Sequence, residues 1–319
     1  MRPRLLITRP LPRAVLEQAR SLFDTDVRAD TGRTEGGFLQ MALSDYDAII
    51  PSLGDDFSSD VFAAAPNIRC RILANFGAGT DHINLASAQT AGITVTNTPD
   101  AVTEPTADLA MTLLLMSARR AIEGDRMVRS GSWKGWHPIE MLGQHVTEKT
   151  LGIVGMGRIG QAVARRAHFG FGMNVIFFNR SSRMLEGLPA KQESLPTVLA
   201  TADFVVITVP GGSRTYHMID SDNLARMKST AHLINVSRGE VVCEEALIRA
   251  LKYRKIAGAG LDVYEHEPDV PAELRSLDNT ILLPHLGSAT EETRTQMGMA
   301  ALENLVAFFE QRDPPHRVV

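Results

Sequence analysis

Cysteine is nearly absent: Cys70 and Cys243 are the only two in 319 residues. Two cannot build a disulfide framework, and their scarcity points to a reducing compartment. Neither sign of charge dominates. Lys+Arg is 33 and Asp+Glu is 37, for a formal net charge of −4. A nucleic-acid-binding domain would usually carry a basic excess. No apolar run reaches the ~18 residues that would span a membrane. The longest, Ala107–Ala118, carries Asp108. The N-terminus, MRPRLLITRPLPR, lacks the uninterrupted apolar core of a signal peptide. Internal repeats and low-complexity segments are also missing. A cytoplasmic enzyme or binding protein is expected, with no nucleic-acid or membrane partner. Length gives a prior of two domains at roughly 150 residues each.

What is present is alternation. Short apolar runs lie at Leu5–Thr8, Ala48–Pro51, Ile72–Ala74, Thr94–Thr96, Leu151–Val154, Val175–Phe178, Phe204–Val209, His232–Val236, Ile256–Asp262 and Thr280–Leu283. Longer amphipathic runs such as Arg13–Leu22, Ile159–Phe169 and Glu244–Leu251 separate them. That order predicts βαβ units around parallel sheets. Unbroken apolar strands such as FVVITV fit a sheet buried on both faces. One long helix is expected from about Glu104 to Ser130, capped by Thr103, with Pro105 in its first turn. Its centre, Ala110–Ala118, is apolar nearly all round, which fits either a core helix or a subunit interface.

Gly155-Met156-Gly157-Arg158-Ile159-Gly160 follows a predicted strand and opens a predicted helix. The bare G-x-G-x-x-G pattern is weak, and this chain, with 25 glycines, has incomplete copies at Gly77/Gly79, Gly170/Gly172 and Gly258/Gly260. The strand–loop–helix context makes the Gly155 copy a dinucleotide loop. Its helix N-terminus offers N–H groups to a pyrophosphate. The next strand ends in Asn179-Arg180-Ser181-Ser182-Arg183, with no acid for a ribose 2′-OH. Arginine and serine there can hold a 2′-phosphate, so NADP(H) is the preferred cofactor, with NAD(H) as the alternative. No metal site is expected.

Ligands of open parallel sheets sit beyond the carboxyl ends of the strands. Those ends carry Val209-Pro210-Gly211-Gly212, Val236-Ser237-Arg238, Asp262 through Pro268, and Pro284-His285-Leu286-Gly287. An arginine, a carboxylate and a histidine on one edge supply the parts for hydride transfer to a 2-oxo acid. The arginine binds the carboxylate and polarises the carbonyl, and the histidine protonates the nascent alkoxide. Either Glu265 or Glu267 could be the acid beside the histidine.

The chain resembles the D-isomer-specific 2-hydroxyacid dehydrogenases, in their glyoxylate/hydroxypyruvate reductase branch. The matching stretches are NFGAGTDHI (75–83), TEPTADLAMTLLL (103–115), LGIVGMGRIGQAVARR (151–166), INVSRGEVV (234–242), GLDVYEHEP (260–268) and LLPHLGSAT (282–290). They span nearly the whole chain in the family's order. The resemblance implies Arg238 as the substrate arginine, His285 as acid/base and Glu267, rather than Glu265, as its partner. It implies Asp262 near the nicotinamide carboxamide and Thr103 near the nicotinamide. It also implies the Gly77-Ala78-Gly79 amides on the substrate carboxylate. Further cofactor contacts are expected at Val209, Pro210, Thr215, Val236, Ser237 and Gly287. Leu53 and Trp136 are expected to shape the substrate pocket. Trp133 and Trp136 resemble a segment that reaches a neighbouring subunit, and a homodimer through the cofactor domain is implied. The chain ends without room for the regulatory domain of many phosphoglycerate dehydrogenases. Glu267 disfavours the formate dehydrogenase branch.

The expected fold is α/β: two Rossmann-like or flavodoxin-like doubly wound parallel-sheet domains with an active-site cleft between them. Residues 1–98 and 289–319 form a discontinuous substrate-binding domain, and 99–288 the NADP-binding domain. The C-terminal helix, Glu291–Gln311, crosses back to the first domain. Hinges are expected near Thr98–Asp100 and Gly287–Ala289. The predicted activity is NADPH-dependent reduction of glyoxylate or hydroxypyruvate. The alternatives are an NADH-linked D-lactate or phenylpyruvate type of dehydrogenase, and a dinucleotide-sensing co-regulator.

Overall fold

The computed structural model describes residues 2–32 and 34–319. The chain divides into two compact units, Met1–Val102 with Ser288–Val319, and Thr103–Gly287. The sequence pointed to cuts after residues 98 and 288.

The first unit has five parallel strands: Arg4–Ile7 (β1), Asp24–Val27 (β2), Ala48–Ile50 (β3), Ile72–Ala74 (β4) and Thr94–Thr96 (β5). Their order is β2-β1-β3-β4-β5, the flavodoxin-like arrangement. Helices Arg13–Leu22 (α1), Gly36–Asp45 (α2), Ser59–Ala64 (α3) and Leu85–Thr90 (α4) connect them. Successive strand residues face opposite layers. Leu5, Ile7, Ile50 and Ile72 pack with Val15 and Ala19 of α1. Leu6, Ile49 and Leu73 pack with Leu39, Leu43 and Phe57 on the other side. Both faces are therefore covered, as a parallel sheet requires.

The second unit has seven parallel strands: Thr150–Val154 (β6), Asn174–Phe178 (β7), Ala190–Gln192 (β8), Phe204–Ile207 (β9), His232–Asn235 (β10), Gly258–Leu261 (β11) and Thr280–Leu282 (β12). The order is β12-β11-β10-β9-β6-β7-β8. The chain winds one way from β6 and the other way from β9, so the switch point lies between these two neighbours. The helices are Thr103–Ala118 (α5), Ala121–Arg129 (α6), Arg158–Arg165 (α7), Leu195–Thr201 (α8), Ser221–Arg226 (α9), Glu244–Lys252 (α10) and Ala272–Arg275 (α11). The chain then returns to the first unit as Glu291–Phe309 (α12), where Ala301, Leu302 and Leu305 join Leu5, Ile7 and Ile72.

The long helix expected over Glu104–Ser130 is two helices. Gln144 N–H donates to the Ala118 carbonyl at 2.7 Å. Gly143 presses so close that a Cβ there would lie 2.4 Å from the same oxygen. With that carbonyl taken from outside, Arg120 turns left-handed at φ 52° and α6 starts afresh. Thr103, expected as a cap, is instead the first residue of α5. The apolar centre of α5 is accounted for within one chain: Ala107, Ala110, Met111, Leu113 and Leu114 are buried with Leu151, Ile153 and Ile234. No helix among the described residues is long and apolar enough to cross a membrane.

Candidate active site

Three glycines shape the loop at the end of β6. Gly155 sits at φ +104°, and a Cβ there would lie 2.8 Å from the Val209 nitrogen. Gly160 packs helix α7 onto the turn, since its Cβ would lie 2.2 Å from the Gly155 carbonyl oxygen. Gly157 caps α7, and a Cβ there would meet nothing within 4 Å. A tight turn, an open approach and a close helix packing are what a dinucleotide loop needs from its three glycines. The residues therefore fit a pyrophosphate at the switch point. Arg158 opens α7 and is exposed, and Ile159 packs partly into the core. Met156 is fully buried, so only its backbone faces the loop. Its N–H donates to Asn179 Oδ1 at 3.2 Å.

Asn179 stands at the tip of β7, its side-chain nitrogen donating to the Ser181 carbonyl at 2.9 Å. Arg180, Ser181, Ser182 and Arg183 are all exposed, and no carboxylate occurs among them. Val209 and Pro210 follow β9, and Thr215 Oγ1 donates to the Pro210 carbonyl at 2.7 Å. Val236 and Ser237 are buried at the end of β10.

The ends of β10, β11 and β12 bring Arg238, Glu267, His285 and Asp262 together. His285 Nδ1 lies 2.8 Å from Glu267 Oε2. Burial alone would raise the Glu267 carboxyl. The bond to His285, the Tyr264 N–H at 3.1 Å and the Arg238 charge outweigh it and hold Glu267 below the usual range. Glu265 goes elsewhere, to His217 Nε2 at 2.7 Å. On an extended segment residues two apart would share a face. The turn closed by Asp269 N–H onto the His266 carbonyl, at 2.7 Å, separates them.

Asp262 is almost fully buried and clasps the loop that carries His285. Its carboxylate accepts from Leu286 N–H at 2.6 Å and Gly287 N–H at 2.8 Å. Its carbonyl accepts from His285 N–H at 2.9 Å. His285 itself is left-handed, at φ 54°. Burial, opposed by these donors and by His285, leaves the Asp262 carboxyl raised. Thr106 Oγ1 holds the Gly287 carbonyl from α5 at 3.1 Å.

Glycines also lock the Arg238 turn. A Cβ at Gly239 would lie 1.8 Å from the Tyr264 carbonyl carbon, and one at Gly211 would lie 2.8 Å from Arg238 Cγ. Asn235, which the sequence reading did not single out, braces the same turn. Its Nδ2 donates to the Arg238 carbonyl at 2.9 Å, and its Oδ1 accepts from Ser237 N–H at 3.1 Å. A polar residue ending a fully buried strand is the signal that could have marked it.

In the first unit, Ser52 bridges Phe76, which sets the Leu53 loop beside Gly77-Ala78-Gly79 at the ends of β3 and β4. All three carbonyls of the second loop are tied inward. Asn75 Nδ2 donates to Gly77 at 3.0 Å and Gly79 at 2.8 Å, and Asn97 Nδ2 to Ala78 at 2.7 Å. A trans peptide sets N–H opposite its C=O, so the Ala78 and Gly79 amides point the other way, whereas the Gly77 N–H, expected to join them, donates to the Asn75 carbonyl at 3.0 Å. Leu53 is exposed, as is Trp136 in the second unit, at 44% and 80%.

A seven-stranded parallel sheet with this loop at its switch point is a domain of the dinucleotide-binding class. The chain belongs to the D-isomer-specific 2-hydroxyacid dehydrogenases: residues 111–287 match the family described as "D-isomer specific 2-hydroxyacid dehydrogenase, NAD binding domain". It is 45% identical to a glyoxylate reductase of Thermococcus onnurineus, over 99% of this chain and 95% of the relative. It is also 45% identical to a glyoxylate reductase of Korarchaeum cryptofilum, over 100% and 96%. Among solved structures it resembles an NADPH-dependent glyoxylate/hydroxypyruvate reductase of Sinorhizobium meliloti in complex with NADP and malonate. That match has a TM-score of 0.88 and 35% identity, over 100% of this chain and 97% of the other. The protein is thus an NAD(P)-dependent 2-hydroxyacid dehydrogenase.

Proposed function

We propose that the protein reduces a small 2-oxo acid, glyoxylate or hydroxypyruvate, with NADPH as its preferred hydride donor. The observation that carries this reading is the 2.8 Å pairing of His285 with Glu267, with the Arg238 charge acting on the same carboxylate. The names of the relatives support the substrate class. The carboxylate-free tip at Asn179, with Arg180 and Ser181 exposed, supports NADPH, because a 2′-phosphate needs donors rather than an acid.

The bound nicotinamide supplies a hydride to the substrate carbonyl carbon. Arg238 takes the substrate carboxylate and polarises the carbonyl. The Ala78 and Gly79 amides of the first unit are assigned to that carboxylate too. His285 keeps Nδ1 on Glu267, so Nε2 delivers the proton to the oxygen. Glu267 orients the ring and stabilises the imidazolium charge. The Gly155–Gly160 loop is assigned to the pyrophosphate. Thr103, Val209, Pro210, Thr215, Val236, Ser237, Asp262 and Gly287 are assigned to the rest of the cofactor. Leu53 and Trp136 are assigned to the substrate pocket. A cytoplasmic homodimer is part of the reading, supported by the exposed apolar side chains Trp133, Trp136, Ile139 and Leu142 of the second unit.

The test is oxidation of NADPH and NADH with a panel of 2-oxo acids. Glyoxylate or hydroxypyruvate should give the highest kcat/KM, with NADPH preferred. Preference for pyruvate or phenylpyruvate with NADH would replace this reading by a lactate-type one. Inactivity on every acid would favour a sensing role. Gel filtration at the monomer mass would remove the dimer.

A further inference from the structure

We propose that Gln192 is a positioning residue that shapes the ribose end of the dinucleotide site and sets its discrimination between NADPH and NADH. The inference rests on the NADPH preference proposed above. Gln192 ends the edge strand β8 and stands in register with Phe177 of β7. It faces the tip of β7 with both ends of its amide. Nε2 donates to the Asn179 carbonyl at 2.9 Å and the Ser181 carbonyl at 3.2 Å. Oε1 accepts from the Arg183 N–H at 3.0 Å. All three partners are backbone atoms, so Gln192 fixes the path of residues 179–183 whatever side chains they carry.

The loop is closed from its other side as well. Asn179 Nδ2 donates to the same Ser181 carbonyl, at 2.9 Å, and Asn179 Oδ1 ties the loop to Met156 N–H of the glycine turn at 3.2 Å. Phosphate loop and ribose-end loop are thereby joined through one asparagine, and Gln192 holds the far end. The side chains of residues 180–183 are left exposed. A loop of serines and arginines without that brace would lose conformational freedom on meeting a ligand. Holding it in place beforehand removes that cost. The gain applies to a ligand that uses the loop, which the 2′-phosphate does and the bare 2′-OH does less. Glutamine suits the task because it both donates and accepts. Glutamate of the same size cannot donate to two carbonyls.

The experiment is fluorescence titration of the purified protein with NADPH and with NADH, for wild type, Gln192→Ala and Gln192→Met, beside a thermal melt of each. Both variants should raise the Kd for NADPH at least tenfold and that for NADH less than threefold, with little change in melting. Near-equal losses for both cofactors would make Gln192 merely structural and overturn the proposal. So would an unchanged NADPH/NADH ratio in both variants. Gln192→Met keeps the length of the side chain without its donors, its acceptor or any charge, and carries the test if Gln192→Ala folds poorly. Wild type binding NADH more tightly would instead refute the underlying NADPH reading, a result visible before any variant is made.

Discussion

Asp262→Asn changes few atoms and should cost the protein much of its turnover. The Asp262 carboxylate accepts from the Leu286 and Gly287 N–H groups at 2.6 and 2.8 Å, and between them they hold His285 at φ 54°. A left-handed non-glycine residue costs about 1–2 kcal/mol. Two hydrogen bonds to a charged group contribute about 3–6 kcal/mol, enough to hold that conformation. Asparagine keeps one acceptor and turns an NH₂ toward the other N–H. One neutral bond is worth about 1 kcal/mol, while a buried donor without a partner costs about 1–3 kcal/mol. The brace then no longer exceeds the strain, and His285 leaves its orientation. A loss of about 2–3 kcal/mol in the oriented population corresponds to about a 30- to 150-fold fall in kcat. Steady-state kinetics gives kcat, and cofactor fluorescence gives the Kd for NADPH. The expected result is a fall in kcat of that size, larger than the rise in Kd that follows from the place of Asp262 in the cofactor site. A kcat within threefold of wild type, or a loss confined to Kd, would refute the argument that Asp262 acts by bracing the histidine loop.

Glu267→Gln removes the charge beside His285. Because Glu267 is held below the usual carboxylate range, wild type keeps that charge down to below pH ~4.5. The variant should therefore move the alkaline limb of the reduction rate to lower pH, and a limb that stays in place would exclude the assigned pairing. Gly160→Ala places a Cβ 2.2 Å from the Gly155 oxygen and should abolish NADPH binding; titration showing tight binding would count against the loop. His232 is buried, bonded to Ser117 at 2.7 Å, and burial lowers its pKa to about 4. The unfolded chain takes up that proton below pH ~6.5, so the contribution of His232 to stability falls by up to about 3 kcal/mol as pH drops from about 6.5 to about 4. His232→Asn should flatten the pH dependence of the urea midpoint in that window, and equal slopes would exclude the effect.

Much of the fold was legible because buried parallel strands leave unbroken apolar runs, as at Phe204–Ile207 and Ile72–Ala74. Strands β2 and β8 were not legible. Asp24–Val27 and Ala190–Gln192 are edge strands, polar and partly exposed, defined by a neighbour rather than by their own pattern. The break after Ala118 was hidden for a related reason, since Gly143 and Gln144 impose it from 25 residues or so downstream. Within the site, residue types at strand ends were readable but their pairing was not. Glu265 and Glu267 are equivalent on paper, and only the turn at 266–269 sends one to His217 and the other to His285. Asn75, Asn235 and Gln192 escaped notice because each acts on backbone groups, which leave no trace in the identity of their partners.

The two glycines that enclose the Arg238 turn bear on how this enzyme can diversify. Gly211 and Gly239 leave no room for a methyl group, so the turns after β9, β10 and β11 must keep their positions together. A lineage shifting toward a different acid cannot do so by nudging the arginine. It must vary exposed side chains instead, and Leu53 and Trp136 are exposed. The chemistry is thereby insulated from the mutations that would alter its clientele.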